Sequence, residues 1–237
     1  MGDVTAMPRV GVDGGATDRF ATGGFQVDLD RTQSVRAADV FRRRFDGRFA
    51  IDAFGADPQL QDLVAPIVHG VVKVRVAGAE HVPADGPALF VSNRGLGVLE
   101  PAALSVAIRN ESCRRLRVIG ATDLPILGDL ARKFGSFAAY PGDLAALLRA
   151  GHLAALPLAS TWLRSGGGMP PTELLVAALG YPVIPVLIRP GGPMGLPITP
   201  WRVTIGEPIV VGDVGERDPL SAAELAEAVR AAVQNLA

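Results

Sequence analysis

Ala88-Leu89-Phe90-Val91, followed at once by Ser92-Asn93, opens with four residues that carry no polar side chain. A short apolar run of this kind reads as a strand buried on both faces, as in the middle of a parallel sheet. Turn chemistry precedes it at Pro83-Ala84-Asp85-Gly86-Pro87, where Gly and Pro set the special backbone angles. Upstream, Val72, Val74 and Val76 alternate with Lys73, Arg75 and Ala77, the pattern of a half-exposed strand. Downstream, helical and strand-like segments take turns. Helices are expected at 101–109, 125–134, 144–149 and 172–179, and strands at 116–119, 153–156, 183–188 and 201–205. Asp143 is expected to cap the third of these helices. A capping box, Ser221 with Glu224, is expected to open a last helix that places Leu225, Val229, Val233 and Leu236 on one face. The alternation predicts one α/β domain: a mixed, mostly parallel sheet of about six or seven strands flanked by helices.

The 237 residues are 49% apolar with a net charge of −1. This fits a globular core and argues against a global field of the kind that binds nucleic acid. The single cysteine, Cys113, excludes an internal disulfide and a cysteine-rich zinc site and suits a cytoplasmic setting. No signal peptide or bilayer-spanning run is visible, so membrane contact is expected to be peripheral. Three regions are expected: a mobile tail over 1–34, a helical arm over 35–70 and an α/β domain over 71–237. Within the arm, Phe41, Phe45 and Phe49 are interleaved with Arg36, Arg42, Arg43, Arg44 and Arg48. This 36–49 segment reads either as an amphipathic arm packed on the domain or as an interfacial segment on anionic lipid. A helix over 58–69, with Leu60, Leu63, Val64 and Ile67 on one face, is expected to stop at Gly70. Arg114, Arg115 and Arg117 read as a solvated basic patch, and His69 and His81 as surface residues.

Gly78-Ala79-Glu80-His81-Val82-Pro83, the apolar strand and Ser92-Asn93 together resemble the lysophospholipid and glycerol-phosphate acyltransferase family. Phe134-Gly135-Ser136-Phe137, the run from Leu148-Arg149-Ala150-Gly151 to Pro157, Val183-Ile184-Pro185-Val186 and Ile205-Gly206-Glu207-Pro208 follow in that family's order. The resemblance covers about residues 50–212. It implies that a histidine after Ser-Asn acts as general base on a glycerolipid hydroxyl, oriented by an aspartate. The hydroxyl attacks an acyl thioester of coenzyme A or acyl carrier protein as co-substrate, with no metal and no other cofactor. It also implies a groove above residues 93–100 and 157–161. Asn93, Thr161 and Arg164 are its candidate substrate-binding residues, and an acyl thioester or lipid its ligand.

The chain departs from that pattern where the chemistry sits. Arg94 stands where the histidine belongs, and a guanidinium cannot accept a proton near neutrality. Glu100-Pro101 replaces Asp-Pro and lies one residue too far along. Leu158-Ala159-Ser160 follows Pro157 where the family carries Glu-Gly, and Trp162 replaces an arginine. The family activity is therefore expected to be impaired or lost, leaving a silent acyl-chain or lipid-binding protein. The other reading is a rebuilt site in which Arg94 clamps a developing oxyanion. His152 opens a strand and is expected at the end opposite the active face.

Overall fold

The computed structural model describes residues 51–93, 99–120, 127–157, 171–191, 200–215 and 217–237, together with Asp39, Arg42, Arg43 and Asp46. Helix α1 (Pro58–Val71) leads into strand β1 (Val74–Ala77), a 3₁₀ turn (Ala79–His81) and β2 (Ala88–Ser92). Helix α2 (Leu99–Ser112), β3 (Leu116–Ile119), α3 (Leu127–Lys133), β4 (Ser136–Phe137), α4 (Pro141–Arg149) and β5 (Leu153–Pro157) follow. The chain continues with α5 (Pro171–Leu175), a 3₁₀ turn (Val176–Ala178), β6 (Val183–Arg189), β7 (Trp201–Ile205) and α6 (Pro219–Asn235).

The strands form one seven-stranded sheet in the order β1-β7-β6-β2-β5-β3-β4. Every neighbouring pair is parallel except β6–β7. This is the expected mixed, mostly parallel α/β architecture. Alternation along β2 divides the core in two. Leu89 and Val91 face α4, α5 and α6 through Leu147, Leu174 and Val229. Ala88 and Phe90 face α2 through Leu104 and Ile108. Burial on both sides explains why β2 and β5 read as continuous apolar runs.

Two glycines join segments distant in sequence. Gly78 has φ +76°, and a Cβ there would lie 2.0 Å from the Ile205 carbonyl oxygen. A Cβ on Gly206 would meet Pro185 Cγ at 2.8 Å, and the Gly206 N–H donates to the Pro185 carbonyl at 2.8 Å. His81 completes this seam. It is half-buried rather than a surface residue, with its Nδ1 3.0 Å from the Ile205 oxygen.

Other local expectations need correction. Helix α1 passes through Gly70 to Val71, and Ile67 is exposed while Leu60 and Val72 are buried. Helix α4 begins at Pro141 with Tyr140 as its cap residue, so Asp143 sits inside the first turn; proline is well suited to that first helical position. The segment 172–179 is one short α-turn followed by a 3₁₀ turn. It closes at Gly180 (φ +77°), where the Val214 backbone leaves no room for a side chain. The cap of α6 is Asp218, which accepts from the Leu220 and Ser221 N–H groups and the Ser221 hydroxyl. The expected box is thus displaced by three residues, because Pro219 starts the helix earlier.

The arginines of the patch are engaged within the protein, Arg115 while still exposed and Arg117 buried. Arg114 donates to the carbonyls of Pro83, Gly86 and Gly151. Arg109 and Arg115 both pair with Asp62 of α1, at 2.7 and 3.0 Å. Burial raises the Asp62 pKa, but the hydrogen bonds and charges of these two arginines outweigh it and hold the carboxyl below its usual range. Arg117, on β3 next to the edge strand β4, has 7% of its side chain exposed and pairs with Asp52. Asp52 also accepts the Phe54 and Ala56 N–H groups at 2.9 Å, which shapes the turn ahead of α1. Phe54 then meets His152 edge to face, with ring centroids 5.3 Å apart.

Removing one partner of a buried ion pair strands the other. Asp52→Ala should cost about 3 kcal/mol in urea unfolding; Asp52→Asn, which keeps an acceptor for the turn, should fall between it and the parent chain. Burial, and then the charges of Arg117 and Arg114, lower the His152 pKa. The folded protein therefore resists protonation there, while the unfolded chain takes up a proton below about pH 6.5. Stability present above that pH is lost as pH falls through the lower folded value. Urea midpoints at pH 7.5 and pH 5 should show a drop that His152→Gln reduces.

Candidate functional site

The chain leaves β2 for β3 by way of α2, on one face of the sheet, and leaves β5 for β6 by way of α5, on the other. Strands β2 and β5 are neighbours, in a register that sets Ser92 beside Pro157. Their outgoing connections therefore diverge from adjacent points. In open α/β sheets such a switch leaves a crevice beyond the carboxyl ends of the strands, where ligands bind. The two segments that follow, 94–98 and 158–170, are those in which the sequence places the altered motifs. The strand ends ahead of them, Ser92 and Pro157, lie about one strand spacing apart, roughly 4.8 Å.

Asn93 fixes the first of these starting points. Its backbone N–H donates to the Val186 carbonyl at 3.1 Å. Its side-chain amide spans Ile188, accepting from the Ile188 N–H at 2.8 Å and donating to the Ile188 carbonyl at 3.3 Å. The carboxamide thus acts as one more rung of the β2–β6 ladder, beyond the end of β2. Glu100 lies half-buried in the first turn of α2, where a carboxylate interacts favourably with the helix dipole. Arg94, Thr161 and Arg164, the other expected site residues, lie outside the described residues.

Two of the three histidines lie at the end of the sheet away from the switch point. His152 precedes β5 and so sits at the amino end of the central strands, as expected. His81, against Ile205, is at that same end, because β7 runs antiparallel to β6. His69 is in the last turn of α1. Among the described residues, no three of His, Cys, Asp and Glu gather in a way that could hold a metal ion. No helix among them is long and apolar enough to cross a membrane.

Two features of this end were not legible from residue patterns. One is the tie from Asn93 to Ile188, separated by 95 positions. The other is a row of arginines: Arg75 pairs in register with Arg202, and Arg202 with Arg189. Strand alternation marks Arg75 as outward-facing, but only the pairing of β1, β7 and β6 brings the three together.

Asn93→Ala should leave the Ile188 N–H and carbonyl without their partners, at a cost of about 2 kcal/mol. Urea denaturation would measure it, and hydrogen exchange at Ile188 should accelerate in the same variant.

Comparison with known proteins gives three results. No family model matches the chain. Proteins of Mycobacterium bovis (strain ATCC BAA-935 / AF2122/97) and Mycobacterium tuberculosis (strain ATCC 25618 / H37Rv) are each 31% identical over 264 aligned residues, covering 86% of this chain and 74% of theirs. A Mycobacterium leprae (strain TN) protein is 31% identical over 255 residues, covering 83% of this chain and 69% of its own. All three are described only as uncharacterised. Among solved structures, the 1-acyl-sn-glycerophosphate (LPA) acyltransferase PlsC of Thermotoga maritima aligns with a TM-score of 0.48 and 14% identity, over 86% of this chain and 93% of that one. At 31% identity over most of both lengths, the chain belongs to the same family as these mycobacterial proteins.

Proposed function

We propose that this protein is a relative of the glycerolipid acyltransferases that retains a site for an acyl thioester or lipid but has lost the ordinary histidine-based transfer. The observation that carries this reading is the Ser92–Pro157 register. Two segments singled out by their altered motifs, 65 positions apart, leave the sheet side by side at its switch point.

The chemistry follows from what those segments hold. A glycerolipid hydroxyl must lose a proton as it attacks a thioester, and a positioned base contributes about 10²–10⁴-fold to such a step. Arg94 cannot supply that base. Glu100, at the start of α2, is the remaining carboxylate of the motif. Asn93 serves by position, since its amide is engaged with Ile188. The exposed Arg42 and Arg43 fit a peripheral membrane role for the 36–49 segment.

The purified full chain, supplied with long-chain acyl-coenzyme A and lysophosphatidic acid, should bind the thioester in a fluorescence titration and release no measurable coenzyme A. Robust turnover that disappears in Glu100→Ala would overturn the loss of catalysis. Failure to bind acyl-coenzyme A or lysophosphatidic acid would overturn the site itself.

A further inference from the structure

Three guanidinium side chains lie abreast at one end of the sheet. Arg75 of β1 is the register partner of Arg202 of β7, which is the register partner of Arg189 at the end of β6. All three are exposed. All three point to the same face, since Val76, Val203 and Ile188, each adjacent in sequence to one of them, belong to the core on the other face. With Pro190, Gly191 and Pro200 they line a cavity of about 430 Å³.

Like charges set directly opposite each other weaken strand pairing. Here that penalty falls on two successive pairs. Among the described residues, neither Arg75 nor Arg202 has a carboxylate partner. Arg189 donates to the backbone oxygen of Ala237, which leaves the rest of its fork available. A row of cations in a concave, proline-walled site, with no Asp or Glu among the described residues to offset it and only Arg189 engaged, by Ala237, is built for an anion.

The spacing narrows the class. Adjacent strands are about 4.8 Å apart, so the row spans roughly 10 Å. That is too long for one phosphate and suits two linked ones, each held by the fork of a guanidinium. We propose that Arg75, Arg202 and Arg189 form a binding site for a diphosphate-bearing ligand. The site does not depend on acyl transfer, because it is defined by binding alone. It lies on the same rim as the switch-point crevice, since Arg189 follows the Ile188 held by Asn93.

Isothermal titration of the full chain with inorganic pyrophosphate, at low and at moderate salt, tests the proposal. Binding should weaken as salt rises. It should weaken about tenfold or more in Arg202→Ala and less in Arg202→Lys, which keeps the charge. Thermal melts would show that these surface variants remain folded. Parallel flotation with phosphatidylcholine vesicles, with and without phosphatidic acid, distinguishes the source. Pyrophosphate binding identifies a soluble diphosphate. Vesicle binding that needs phosphatidic acid and Arg202, in the absence of pyrophosphate binding, shows that single phosphates suffice and overturns the diphosphate assignment. Absence of both, or binding that Arg202→Ala leaves unchanged, overturns the proposal.

Discussion

Strand β2 is buried along its whole length and has a parallel neighbour on each side. A backbone shut off from water must satisfy its N–H and carbonyl groups within the protein. The partners of β2 are β5 and β6, and much of the rest follows from that requirement. Its alternate side chains divide the helices between two cores, with α2 on one face and α4, α5 and α6 on the other. Its register with β5 fixes where two loops begin, and the Asn93 amide extends its register with β6 by a further rung.

The reversal between β6 and β7 has a comparable reach. Because β7 runs against β6 and β1 follows β7, the amino ends of two strands join the carboxyl end of a third. That meeting gathers the arginines at one rim. At the opposite rim it brings Ile205 over Gly78 and His81, and Gly206 onto Pro185. The scaffold phrases of the sequence are therefore packing statements. Gly78 and Gly206 are required because another backbone segment or ring occupies the space a Cβ would take.

Legibility tracked how local each cause was. The apolar runs at 88–91, 153–156 and 183–188 announced strands because burial on both faces leaves a signal inside a few residues. Asp218 was overlooked as a cap because Ser221 and Glu224 offered a competing local pattern, although Pro219 fixed the start of the helix. The arginines misled for a different reason. Arg117 sits in the segment Leu116-Arg117-Val118-Ile119 and resembles an outward strand residue. Its burial depends on Asp52, 65 positions away. Of the site, the sequence exposed which motif residues are altered, whereas the adjacency of the two altered segments required the strand order.

The clamp formed by Asp52 and Arg117 bears on modularity. The sheet begins at Val74, yet the charge on its strand β3 is balanced by a residue some twenty positions earlier, and Asp62 balances two more arginines from the same preceding segment. The charges of the sheet are therefore completed by residues ahead of its first strand. Shuffled into another protein without residues 51–71, the α/β body would carry an uncompensated interior cation. Inheritance of turn, helix and sheet as one unit follows from electrostatics rather than from continuity of the sheet.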